Sequence, residues 1–144
     1  MINIRLMNPR SHKDWELVIH AVKQAAPPTV EVTLELLDNI RRSLLNKEMA
    51  AWMYSNESPF GVVLTVIRED SIMGKKELLL YCVAHLRNLT WAEWKESYKK
   101  TRLYCLAHGC THITAYTVAP GVARLAKRLG GNVDTRYISI PLGG

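Results

Sequence analysis

The 144 residues (16.4 kDa) suit one domain, and 48% hydrophobic with 22% charged residues is folded globular composition, which excludes a disordered chain. The longest apolar runs, Gly61 to Ile67 and Leu78 to Ala84, are far shorter than the roughly 20 residues that span a bilayer, so no membrane partner is expected. Nineteen Lys and Arg against thirteen Asp and Glu give +6 and a pI near 9.4, which favours an anionic partner without choosing between a nucleic acid, a phosphate-bearing cofactor and an acidic protein.

The N-terminus, Met1 to Leu6, has no basic region leading into an apolar one, so no signal peptide is read there. Cys82, Cys105 and Cys110 are odd in number and follow no CxxC spacing. A disulfide framework and a metal site both lack support, and a cytoplasmic chain with reduced thiols is expected.

Residues 2–7 alternate apolar and polar, as a short strand does, and Asn8-Pro9 ends it. Ser11 has the chemistry of an N-cap, with Asp14 at the capping-box position. Trp15, Val18, Ile19 and Val22 then make one face of a first helix, which Pro27-Pro28 stops. A second helix is predicted from about Thr29 to Asn46, with Leu36, Leu37, Ile40 and Leu44 inward and Asp38 placed to pair with Arg42. Three strands follow, at Met49 to Tyr54, Gly61 to Arg68 and Glu77 to His85, separated by turns at 56–59 and 69–75. The last two are so apolar that both faces should be covered.

Trp91 to Ala107 reads as a third helix, with Trp91, Trp94, Tyr98 and Cys105 along one side and Glu96 placed to pair with Lys99 and Lys100. His108-Gly109 closes it. Thr111 to Thr117 is a strand, and Pro120 opens a fourth helix with Val122, Leu125, Ala126 and Leu129 at helical spacing and Gly130-Gly131 at its end. Val133 to Ile140 alternates as a last strand. The order β-α-α-β-β-β-α-β-α-β defines a single mixed α/β (α+β) domain over residues 1–144, with a central sheet flanked by helices.

That order resembles the GNAT (Gcn5-related N-acetyltransferase) superfamily, most of all the small GNAT-like proteins of bacteriophages. The strings that carry the resemblance are Trp91 to Trp94, Ala107 to Tyr116 and Val122 to Gly130. The resemblance implies transfer of acetyl from acetyl-CoA to an amine. It also implies that the central strand, at Val83, splays from its neighbour and offers backbone groups to the pantetheine arm. The loop of form Q/R-x-x-G-x-G/A, which cradles the CoA diphosphate on backbone amides at a helix N-terminus, corresponds to Arg87, Asn88, Leu89, Thr90, Trp91 and Ala92.

This chain departs from that pattern in four places. Thr90 stands at the central Gly, where it reads better as an N-cap for the third helix. Ala126 stands where many members carry a general-acid Tyr, Ala119 near the usual Asn, and Gly131 where an aromatic usually follows the terminal Gly. A base is still needed to take the amine proton. His85, at the end of the central strand, is the best-placed candidate because neutral imidazole accepts a proton, although it also reads as a solvent-exposed strand end. Glu77 and Tyr81 are the other candidates. Cys82 reads as core, and Cys110 with His112 lacks a third orienting residue.

Two functions remain open on these grounds. One is a GNAT-fold, acetyl-CoA-dependent N-acetyltransferase. The alternative is a degenerate GNAT-fold protein that acts by binding a host or phage protein, as a modulator of a host enzyme or a virion-associated component. Lys99, Lys100, Arg102, Arg124, Lys127 and Arg128 read as solvated helix faces rather than a nucleic-acid contact, because no binding motif or interleaved aromatics accompany them.

Overall fold

The computed structural model describes residues 1–117, 120–134 and 138–143. Its elements are β1 (Asn3–Leu6), α1 (His12–Ala25), α2 (Leu34–Leu45), β2 (Ala50–Asn56), β3 (Ser58–Asp70), β4 (Lys75–His85), α3 (Trp91–Ala107), β5 (His112–Ala115) and α4 (Pro120–Arg128). One five-stranded sheet runs in the order β1-β2-β3-β4-β5, antiparallel up to β4, with β5 parallel to β4. This is the mixed α+β architecture expected from the sequence, element for element through α4.

Both faces of the sheet are covered, as the apolar character of β3 and β4 requires. On one face Val18, Ala21 and Val22 of α1 and Leu37, Ile40 and Leu44 of α2 pack with Ala51, Met53, Val62, Leu64, Cys82 and Ala84. On the other, Ile2, Tyr54, Phe60 and Val63 form a second cluster, while Leu78 packs with Cys105 and Cys110 beside α3. Val62 and Leu64 are fully buried, and each such side chain contributes roughly 1.5–3 kcal/mol.

The N-terminal strand is fastened twice. Asp14 is buried near the start of α1, where its carboxylate accepts both Arg5 guanidinium nitrogens at 3.0 Å and the Asn8 N–H at 2.8 Å. Ser11 caps α1 as expected, but Asp14 does not return the bond, because Arg5 is the stronger partner. Glu96 and Lys100 of α3 take the N–H and the C=O of Ile2 between them. The expected pairing of Glu96 with Lys99 and Lys100 thus gives way to a clamp on the chain that enters β1.

Other expectations are corrected. The second helix begins at Leu34, with Thr33 as its cap, because residues 29–32 follow the Pro27-Pro28 break. Arg42 donates to Asn39. The third helix buries Glu93, Ser97 and Cys105, whereas Trp91 is 42% exposed, so the apolar stripe assigned to it lies partly in solvent. Val122, Leu125 and Ala126 of α4 are half-buried, Leu129 is exposed and no residue of α4 is buried. The predicted last strand is not formed at residues 133–134 and 138–140, and its centre, 135–137, lies outside the described residues. The position read near Ala119 also lies outside them.

Candidate functional site

The site is made by a mismatch in strand length. β4 pairs with β3 along its whole length, from Asp70↔Lys75 to Gly61↔His85. It pairs with β5 only from Glu77↔His112 to Leu80↔Ala115. Beyond Leu80, among the described residues, β4 has no partner on its β5 side.

A bulge sits at the parting point. Leu64 pairs with Cys82 and Thr65 with Leu80, so Tyr81 is an extra residue on β4. It reverses the strand's alternation. Before it, Leu78 faces α3; after it, Cys82 and Ala84 face α1 and α2 while Val83 faces α3. The Leu86 N–H donates to the Phe60 C=O, which makes Ala84 and Cys82 the next residues bonded to β3. Val83 and His85 therefore turn their backbone groups toward the side that β5 has left. The His85 C=O is taken by Gln24 of α1 at 3.2 Å, and Val83, paired with Val63 of β3, has no partner in β5 among the described residues.

His85 points to the α3 side, where its ring meets the edge of Trp94 at 5.0 Å and 83°. Its Nε2 is buried without a hydrogen-bond partner. Burial pushes its pKa below the ordinary histidine value, so the ring is neutral at pH 7. The solvent-exposed strand end considered above is thus replaced by a half-buried, neutral imidazole at the mouth of the opening.

The other two candidate bases do not join it. Glu77 lies eight residues away along β4, roughly 26 Å at 3.3 Å per residue. Burial raises its pKa, but the hydrogen bond and charge of Arg68, with Lys75 at 3.3 Å, outweigh this and hold the carboxyl below its usual range. Tyr81 is the bulged residue and packs against the α1/α2 core, with burial raising its pKa. Cys82 is buried and its thiol is pushed up to about 12, which removes it as a nucleophile. Cys110 is buried beside Cys105, and His112 bonds to Thr111 instead.

The loop from Arg87 to Ala92 leads from β4 into α3, as a diphosphate cradle requires, but its groups are already engaged. Thr90 caps α3: its Oγ1 accepts the Glu93 N–H at 3.1 Å, and a Glu93 oxygen accepts the Thr90 N–H at 3.0 Å. Both guanidinium nitrogens of Arg87 bond to Glu93, at 3.0 and 2.7 Å, and Asn56 reaches it at 3.4 Å. Arg87 also lies over the Phe60 ring, 5.2 Å from its centroid. The Arg87 guanidinium, with the Thr90 N–H, holds the Glu93 carboxyl at about 2. Sequence reasoning missed Glu93, although Thr90-x-x-Glu93 is a legible capping box. The first two amides of the helix, at Trp91 and Ala92, stay outside this network, and Arg128 of α4 lies 4.6 Å over the Trp91 ring.

A cavity of about 310 Å³ lies elsewhere, between the sheet and α3, lined among others by Asn3, Trp52, Tyr54, Lys100 and Tyr104. None of the candidate residues borders it. Among the described residues no group of three His, Cys, Asp or Glu could hold a metal ion, and no helix is long and apolar enough to cross a membrane.

No protein-family model matches the chain, and no curated protein matches it in sequence. Solved structures do match in three dimensions. A predicted acetyltransferase with acetyl-CoA from Clostridium acetobutylicum superposes with a TM-score of 0.69 at 12% identity, covering 98% of this chain and 96% of that one. AAC(6')-Iy, in complex with the bisubstrate analogue CoA-S-monomethyl-acetylneamine, gives 0.68 at 18% identity over 100% and 99% of the two chains. A transcriptional regulator from Bacillus halodurans C-125 gives 0.68 at 13% identity over 99% and 100%. The chain therefore has a GNAT-like fold, with the parting of β4 and β5 after Leu80 and the loop into α3 as its candidate site.

Proposed function

We propose that this protein is an acyl-CoA-dependent N-acetyltransferase that passes an acetyl group to an amine in the β4–β5 opening. The observation that carries this reading is the parting of the strands at the Tyr81 bulge, which exposes Val83 backbone groups beside a neutral, unpartnered imidazole. Acetyl-CoA supplies an activated acetyl thioester. Val83 turns its N–H and C=O away from β3, and among the described residues no strand pairs with it there, so they can hold an extended amide-bearing arm as a further strand would be held. His85 takes the proton that the attacking amine must lose, and its lowered pKa keeps it able to do so at neutral pH. Ala126 offers no proton to the departing thiolate, so that proton comes from water.

The likeness of the second half of the chain to phage-borne members keeps a phage origin, and a host or phage protein as the amine, within this reading. One observation favours the alternative of a silent, protein-binding domain: the cap at Glu93 occupies donors of the diphosphate loop. A transcriptional regulator among the structural neighbours is in keeping with one fold serving several activities.

The test is thiol release from acetyl-CoA with a panel of amines, from polyamines and aminoglycosides to peptide N-termini and lysine peptides. The buried cysteines keep the background of a thiol reagent low. Amine-dependent release that His85→Phe abolishes supports the enzyme. A folded protein that neither binds acetyl-CoA nor releases thiol with any amine would leave the silent domain as the better reading.

A further inference from the structure

We infer that the donor is selected through its acyl-pantetheine arm, with its diphosphate contributing little, because Glu93 already fills the start of α3. The inference rests on the acyl-thioester reading above and says which part of the thioester the site recognises. A helix N-terminus attracts a diphosphate with free amides and a positive end. Here the amide of the cap residue, Thr90, and the third helical amide, that of Glu93, are both spent inside the capping box. The cation that could have met a phosphate, Arg87, makes a two-pronged bond with the same carboxylate and is stacked on Phe60. Asn56 supplies a further donor to it.

An incoming diphosphate therefore meets a closed Arg87–Glu93 ion pair where the fold provides a positive end. It must either break the four hydrogen bonds that Glu93 accepts from Arg87, Thr90 and Asn56 or settle for the outer amides of Trp91 and Ala92 and for Arg128. The arm meets no such obstacle among the described residues, since Val83 has no partner on the β5 side of β4. The ligand class is thus an acyl-pantetheine thioester, whatever nucleotide it carries.

Calorimetry with acetyl-CoA and with S-acetylpantetheine, on the native chain and on Glu93→Gln, tests this. Gln keeps an oxygen for the Thr90 amide but drops the charge and releases Arg87. The native chain should bind the two ligands within about threefold. Glu93→Gln should bind acetyl-CoA about tenfold more tightly, roughly 1.4 kcal/mol, with S-acetylpantetheine unchanged. Native binding of acetyl-CoA more than tenfold tighter than S-acetylpantetheine, or a variant that leaves acetyl-CoA affinity where it was, overturns the inference and spares the acetyltransferase reading. Silence of both ligands with both proteins overturns that reading as well. If the variant does not fold, the comparison on the native chain decides alone.

Discussion

Replacing His85 by Phe separates function from stability at one position. The imidazole Nε2 is buried with no partner, and an unsatisfied buried polar atom costs roughly 1–3 kcal/mol. Phe removes that atom and keeps an aromatic edge against Trp94. The larger ring adds strain, which for overpacked sites runs to about 1–3 kcal/mol. The two terms nearly cancel, so Phe is expected to be neutral or stabilising by about 1 kcal/mol at pH 7 in urea unfolding. Acetyl transfer should meanwhile fall by roughly a hundredfold or more, the usual worth of a general base. The pH dependence sharpens the test. The folded pKa of His85 is depressed below the unfolded value of about 6.5, so the unfolded chain binds more protons between the two. Stability is complete above that value and is lost as pH falls through it, with a slope of at most about 1.4 kcal/mol per pH unit for one proton. Half-burial keeps the observed slope below that bound. Phe lacks this loss, so its advantage should widen from pH 7 to pH 5.5. A destabilisation above about 1 kcal/mol at pH 7, or parallel pH profiles, would refute the assignment of an unpartnered, desolvated imidazole.

The same structure makes further predictions. Asp14→Ala should cost about 1–3 kcal/mol in chemical denaturation, because it leaves the Asn8 amide and Arg5 without their acceptor; a loss below about 0.5 kcal/mol would mean that the carboxylate fastens little. Glu77→Gln should leave thiol release unchanged, since Glu77 is tied to Arg68 and Lys75 far from the opening; a hundredfold drop would make Glu77 part of the chemistry after all. All three cysteines are free and buried, with the Cys82 and Cys105 thiols raised to about 12 and about 11. They should resist alkylation in the native protein and react in strong denaturant, as mass spectrometry would show; rapid native labelling of Cys82 would contradict its place in the core.

How much of this was legible in the sequence depends on the range of the interaction. Local signals read well: Ser11 and Thr90 as caps, Gly109 in the left-handed region at φ 73 and the span of α3 follow from a few neighbouring residues. The inward rows of α1 and α2 follow from spacing in the same way. Glu96, Asp14 and Arg42 misled because helical spacing names a neighbour, whereas the structure offers better partners: the Ile2 amide for Glu96 and Arg5 for Asp14. The bulge at Tyr81 was invisible because it depends on the register between β3 and β4, and it inverts which face each later residue of β4 takes. The burial of His85 under Trp94 is a contact across nine residues that no pattern encodes. Glu93 was the missed residue whose signal was in the sequence, three places after a Thr already read as a cap.

In the proposed complex the arm of an acyl thioester lies along the β5 side of β4, at Val83. Amide hydrogen exchange with and without S-acetylpantetheine reads it most directly, because a bound arm must cover the Val83 N–H while leaving the Cys82 and Ala84 amides, already bonded to β3, unchanged. Exchange should slow at Val83, and less so when the bulge is altered. Protection that appears instead around Trp52 and Tyr104, or nowhere, would contradict it.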